Sequence, residues 1–499
     1  MLFFVILSII TQIEFIETDT EKDYQILVDE IEKLKHAPLD LNTVTIYDLA
    51  RLPGLSIVTA YRIIEYREEV GPYHSLEDLL KVEGMDRETF EMIRPYLQIK
   101  KKEIPGFKFW GRYRLVSELP RAERGEEIYS RTVFEYHQQK GYLVSEKDPG
   151  EDNYFDYTGF GVVISQGQRR FALGSYNLDF ARGLILGSMP TIFEGTDCRI
   201  FYTNRGIVPY TSVIEDRGYF GVAYTDSFFL KYTLFGSGIG LDARLDTSGN
   251  VTSIDHSGNH IDSLTMSRKN NLHEEILGTN LEKHIGATNL GLRSYYLRYN
   301  RCFAPDDSLS SFYGRDFFIL GGDIGYLRED FFVFGELARS FNNRWAGTGG
   351  FIGDYSPFKV SAVLSYFADG FYSPKSEMVD NGTASAIGDL RYRLSFGTLY
   401  TSIKLTRLIE SDSNDCYFKI GVDIPWSPFQ VSTQVKRRYR EGLPQSIGST
   451  VNLKYSPLNY LRFYLRLEEK YLYLEKFEKG IAGFLGSEVK FKFLSLEGR

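Results

Sequence analysis

From Pro105 to the end of the chain, apolar and polar side chains alternate one for one, and that period decides what the larger part of this protein can become. Leu461-Arg462-Phe463-Tyr464-Leu465-Arg466-Leu467-Glu468 places Leu, Phe, Leu and Leu on one face and Arg, Tyr, Arg and Glu on the other. Successive side chains point to opposite faces only in a strand, so the segment is a strand with one greasy and one charged face. Val489, Phe491 and Phe493 repeat the pattern against Glu488, Lys490 and Lys492. Leu399, Thr401, Ile403 and Leu405 do so against Tyr400, Ser402 and Lys404, and Val360, Ala362, Leu364 and Tyr366 against Lys359, Ser361 and Ser365.

Two architectures use such strands. A soluble, secreted β-sandwich turns the greasy faces toward each other, whereas a membrane barrel turns them toward lipid and keeps the polar faces inside. The segments run to about ten residues, the length a tilted strand needs to cross a bilayer. Connections come in two kinds. Tyr355-Ser356-Pro357-Phe358, Trp426-Ser427-Pro428-Phe429 and Tyr455-Ser456-Pro457-Leu458 read as tight turns, because proline presets the turn and cannot donate to a ladder. The stretches 245–285 and 368–388 read as long polar loops. Short turns at one end and long loops at the other favour the barrel, with about 16 strands. On this arrangement Arg391, Arg393, Arg462 and Arg466 face the lumen, either lining a pore or pairing with acids in a plugged or narrow interior, and membrane lipid is the partner outside.

The N-terminal part is different in kind. Met1 to Ile10 is a short apolar run without a preceding cation, read as an export signal over 1–17 and too short to span a bilayer. Residues 18–37 carry Tyr24, Leu27, Val28, Ile31 and Leu34 at helical spacing and predict an amphipathic helix that packs on the segment 38–97. Between 38 and 97 one pattern occurs twice, thirty residues apart. Thr45-x-x-Asp48 and Ser75-x-x-Asp78 are capping boxes, and Gly54 and Gly84 each break the chain before Ser56 and Asp86, placed as the next N-caps. The unit is helix, tight turn, helix, repeated.

Leu39 to Leu97, with its Leu41-Asn42-Thr43 entry, Gly71-Pro72-Tyr73 connector and Arg94-Pro95-Tyr96-Leu97 end, resembles the tandem helix-hairpin-helix domain of the ComEA type. The resemblance implies a DNA-binding or DNA-uptake role, with phosphate held at the hairpins by Gly54, Leu55, Ser56, Gly84, Met85 and Asp86 and by the cations Arg62 and Arg87. Physical chemistry pulls the other way. Ser56 and Asp86 stand where DNA-binding members have a second glycine, and a carboxylate at 86 repels phosphate. From 38 to 100 there are 11 acids against 7 bases, so the footprint of counterion release is missing. DNA is therefore a disfavoured partner and DNA uptake the alternative reading. The leading expectation is a binding or transport role in which the small domain docks a periplasmic protein or closes the pore. The entry His36 to Asn42 and the segment Tyr176 to Gly187 are similar to uncharacterised Bacteroidetes-type envelope proteins, which implies the same fusion of hairpin domain and barrel.

The sequence offers little catalytic chemistry. His273-Glu274-Glu275 lacks the second histidine of a zinc helix, since position 277 is Leu. His256 and His260 fall in a Ser-, Gly- and Asn-rich stretch and read as solvated. Gly236-Ser237-Gly238-Ile239-Gly240 does not match a dinucleotide loop and reads as close strand packing. Cys198, Cys302 and Cys416 are odd in number and far apart, so neither disulfides nor a zinc ribbon is encoded. The expectation is a multidomain chain: an all-α helix-hairpin-helix domain over 38–100, then an antiparallel transmembrane β-barrel over 101–499. It is expected to be non-enzymatic and cofactor-free, sited in the outer membrane with the small domain in the periplasm.

Overall fold

The computed structural model describes Leu34 and residues 38–498, apart from 53, 100–105, 117–125, 138, 152, 154, 188–203, 215–216, 257, 259, 305–311, 377–380, 427, 459–460, 474–476 and 492–493. The export signal over 1–17 and the helix over 18–37 lie outside the described residues except for Leu34, which is buried against the hairpin core.

Three helices carry the small domain: α1 (Ile46–Leu49), α2 (Ile57–Glu69) and α3 (Arg87–Ile93). The caps read from sequence are in place. Thr45 accepts from the Asp48 amide, Ser56 from Thr59 and Asp86 from Thr89. The second capping box starts a 3-10 turn, Leu76–Lys81, instead of an α-helix, with Asp78 accepting the amides of His74 and Ser75. Gly54 and Gly84 sit at φ +77° and +81°, the left-handed region a hairpin turn requires and where glycine is unstrained. Leu39–Asp40 and Leu97–Gln98 pair in parallel and tie the two ends of the domain together.

After this the long strands pair antiparallel in chain order, from Phe107–Val116 through Phe477–Phe491, and the strand order closes into a barrel. Among the described residues that order contains 24 strands, three of them short side pieces (Gly206–Pro209, Ala243–Leu245 and Val251–Ile254). The count exceeds the 16 or so expected because the repeat is shorter than assumed. Gly397–Leu408, Ser413–Trp426, Phe429–Arg440 and Leu443–Leu458 follow one another with turns of two to four residues at both ends.

One end of the barrel consists of tight turns, such as Ile285 to Thr288, Leu327 to Phe331, Tyr355 to Phe358 and Leu394 to Gly397. The longer connections lie at the other end. Two expectations about connections need correction. The stretch 245–285 is no continuous loop: it holds the strand Leu272–Ile285, where His273 and Glu274 lie, and 383–388 belongs to the strand Thr383–Leu394. The third Ser-Pro pair is not a turn either. Leu443–Leu458 runs through Ser456 and Pro457, and the missing proline amide appears as a shift of register between Tyr455 and Leu458. The chain end also differs, since Leu494–Gly498 folds back on Ser487–Phe491 as a further strand.

The alternation resolves as a barrel pattern. Leu337, Leu364, Leu405, Leu467 and Leu485 stand exposed on the outer face, while Asp389, Ser402, Lys419 and Gln434 are buried on the inner one. Phe228, Phe229, Phe396 and Trp426 project at the tight-turn end, as an interfacial girdle does. Leu465 shares the outer face with Leu467, whereas Arg466 faces inward and binds Glu468. Leu465→Arg is accordingly expected to cost about 2–4 kcal/mol in the bilayer. Arg466→Leu should be tolerated, and heat-modifiable gel migration of the two variants separates these outcomes.

Candidate functional site: the occupied lumen

The helix-hairpin-helix domain and the barrel share one hydrophobic core. Val58, Ile63, Leu79, Met85 and Phe90 are buried in the same cluster as Phe332, Phe334, Ile352 and Val363, whose side chains belong to the inner barrel wall near the tight turns. Inward apolar residues are out of place in a water-filled lumen. They are there because the domain covers them.

A polar clasp fixes the orientation. Arg62 projects from α2 and donates to the Glu329 carbonyl (2.9 Å), to Asp330 Oδ1 (2.9 Å) and to the Asp354 carbonyl (2.9 Å). The Asp354 carboxylate, 2% exposed, accepts from Thr59 Oγ1 at 3.0 Å and lies 3.7 Å from the Arg62 guanidinium and 3.5 Å from Lys359 Nζ. Lys359 also donates to the carbonyl of Gly84 at 3.1 Å. A side chain at Gly84 would run into Arg62 and Asp354, so the second hairpin turn is closed against the barrel wall. Deeper in, burial pushes the Tyr47 hydroxyl pKa up, and Glu282 and Asp323 add to the shift while its hydrogen bond to Asn204 opposes it.

The space beyond the domain is filled by the chain itself. Phe180 to Leu186 are buried and fold into the lumen, although they neither alternate nor form a strand. Glu336 on the wall receives the amides of Arg182 (3.0 Å) and Leu184 (3.3 Å), while its other oxygen takes Arg293 at 2.8 Å. Arg293, 1% exposed, also binds Asp323 and donates to Asn280 at 3.1 Å. Asn280 passes the chain to Glu282, which is held by Lys231 and Asn204. These charges are buried, yet each has a partner, the condition under which burial of ions is tolerable.

The residues singled out from sequence fall in three places. Leu55 and Met85 are core, Ser56 and Asp86 spend their side chains on helix caps, and Gly54 packs on Met92. Arg62 and Gly84 face the barrel, and Arg87 is exposed. Among the arginines expected in the lumen, Arg391 lies over Tyr400 and 3.7 Å from Asp389, Arg466 is paired with Glu468, and Arg393 is exposed beside the tight turns. Arg462 shares the inward alternation of Arg466 and is half-buried. The signal for the clasp was present in the sequence. Arg62 follows Val58 by four residues and Thr59 by three, so it lies on the buried stripe of α2, where an arginine must find a partner.

At the opposite end, His260 departs from the solvated reading. Its ring is 1% exposed and spans two carboxylates, Nδ1 at 2.5 Å from Asp156 and Nε2 at 2.6 Å from Asp242, while its amide donates to Glu151. Ligand atoms of Glu151, Asp156 and His260 lie within 4.8 Å of one another, a spacing that could hold a metal ion. Lys269, bound to Asp156 and 3.3 Å from Nδ1, already supplies a cation there. Burial by itself would lower the His260 pKa, but the hydrogen bonds that its ring donates to Asp156 and Asp242 outweigh it and raise the value above the ordinary 6.5. A raised folded-state pKa means a proton is held more tightly in the folded form. The clasp between the 148–156 and 242–271 segments is therefore at full strength below pH 6.5 and weakens as pH rises through the raised value. Protection factors of the 255–266 amides, taken relative to intrinsic exchange at each pH, are expected to fall over that range in the wild type and to be flat in His260→Gln.

Comparison with known proteins places the small domain. Residues 35–98 match the helix-hairpin-helix motif family. Over 66 residues the chain is 36% identical to ComE operon protein 1 of Bacillus subtilis (strain 168), covering 13% of this chain and 32% of that one. It is 33% identical over 67 residues to endonuclease/exonuclease/phosphatase family domain-containing protein 1 of Mus musculus, covering 13% of this chain and 12% of that protein. The chain thus spans a third or less of the length of these curated relatives. Among solved structures it is similar to OccK11 (OpdR) of Pseudomonas aeruginosa, with 10% identity, a TM-score of 0.32 and coverage of 78% and 93% of the two chains. It is also similar to the FrpB iron transporter of Neisseria meningitidis, at 11% identity, TM-score 0.36 and coverage of 83% and 76%. At these scores the barrel rests on its own strand pairing. Residues 35–98 are a helix-hairpin-helix domain, and in this chain it is joined to a transmembrane-type antiparallel β-barrel.

Proposed function

We propose that the protein is a non-enzymatic outer-membrane β-barrel whose lumen is closed by its own helix-hairpin-helix domain, serving gated binding or transport. The observation that carries this reading is the shared core of the domain and the inner barrel wall, locked by Arg62 on Asp330 and Asp354. In barrels of this kind the short turns face the periplasm. The first barrel strand begins at that end and the domain docks on those turns, which supports a periplasmic position for it. A partner that engages the exposed outer side of the domain has a direct route to the clasp.

DNA capture is the second reading, implied by the resemblance of 39–97 to the ComEA-type domain, with which the match to ComE operon protein 1 agrees. With the domain docked, Arg62 and the Gly84 turn are spent on the barrel, so DNA contact requires undocking. Planar-bilayer recording tests the leading reading. The wild type is expected to pass little current and Arg62→Ala to add discrete openings. A large, steady open-pore current in the wild type would remove it.

A further inference from the structure

The first barrel hairpin, Phe107–Val116 with Glu127–Tyr136, carries an unusual inner face. Phe107, Phe109, Tyr113 and Leu115 are exposed on the outside, so Trp110, Arg112 and Arg114 point into the barrel. Across the ladder Arg112 pairs with Arg131 and Arg114 with Tyr129. Three guanidinium groups therefore share one small patch, with Arg112 and Arg114 over the Tyr129 ring at 5.8 and 5.2 Å and Arg131 over Trp110 at 5.3 Å.

Arg131 is the anomaly. It is 1% exposed, and none of its three guanidinium nitrogens has a hydrogen-bond partner among the described residues. Among the described residues no acid is paired with it. Glu135 is taken by Lys140 at 2.9 Å, and Glu146 stands opposite Tyr129. Removing an unpaired guanidinium from water costs more than one cation–π contact offsets. Elsewhere in this lumen the fully buried Arg293 has two carboxylates.

We propose that this patch is a binding site for a phosphate-bearing solute, with Arg131 as its buried anchor and Arg112 and Arg114 beside it. A guanidinium fork matches two oxygens of a phosphate at once, and the buried fork of Arg131 has no hydrogen-bond partner among the described residues to compete for it. The patch faces the lumen and not the lipid-facing side, so the ligand is a solute rather than a bilayer headgroup. The site does not depend on whether the hairpin domain moves.

Calorimetry and thermal melting of the full chain in detergent, with inorganic phosphate against chloride at matched ionic strength, test it. The wild type is expected to bind phosphate saturably and melt higher with it. Arg131→Gln is expected to abolish the response and Arg112→Gln to weaken affinity roughly tenfold or more. If Arg131→Gln does not fold, Arg112→Gln alone decides. A wild type that does not distinguish phosphate from chloride, or an Arg112→Gln chain with unchanged affinity, overturns the assignment.

Discussion

Replacing Arg62 by methionine is expected to destabilise the docked domain by about 3–5 kcal/mol, because it leaves the buried Asp354 carboxylate without its guanidinium and strips donors from two turn carbonyls. Asp330, the other acid Arg62 touches, is 56% exposed, so Asp330→Asn should cost less than about 1 kcal/mol. The contrast separates a buried clasp from a rim contact. Hydrogen exchange of the α2 amides in the intact protein measures both. Arg62→Met combined with Asp354→Leu should recover part of the loss, since the buried carboxylate, left with only Lys359 and Thr59, is then gone. Equal effects at Asp330 and Asp354 would show that the clasp is solvated.

The second large effect is expected at Glu336. Its carboxylate holds the inserted segment through two backbone amides and shares Arg293 with Asp323. Glu336→Leu removes all three bonds, leaving two buried amides unpaired and Arg293 with a single carboxylate. A loss of about 3–5 kcal/mol is expected, and it should be local. The 180–187 segment should become protease-sensitive while the barrel keeps its heat-modifiable migration. Unfolding of the barrel as a whole would mean that this network supports the wall more than the segment.

Much of this fold is written locally. Period-two alternation fixed which side of each strand meets lipid, and the caps at Thr45, Ser56 and Asp86 fixed the helical hairpins, because both depend on residues close in sequence. What sequence could not show was contact across hundreds of residues. Arg62 looked like a cation for phosphate because its partners, Asp330 in a hairpin turn and Asp354 at a strand end, come from far along the chain. Phe332, Phe334 and Val363 broke the polar inner face without announcing why. His260 looked solvated because Asp156 and Asp242 come from separate connections. Strand number was underestimated for a related reason, since stretches such as 383–388 read as loop when they belong to the strand Thr383–Leu394.

The helix-hairpin-helix domain sits inside the barrel mouth, and a single cross-link tests that placement directly. Lys359 Nζ lies 3.1 Å from the carbonyl of Gly84, so a cysteine at each of Glu83 and Lys359 falls within reach of a short thiol-to-thiol cross-linker. With Cys198, Cys302 and Cys416 replaced by serine, the cross-linked chain is cut by trypsin at the Lys100-Lys101-Lys102 run and run on a denaturing gel. Docking predicts that the small domain stays covalently attached to the barrel after the cut. Release of a free domain from the treated double-cysteine chain, at the level seen without cross-linker, would contradict it.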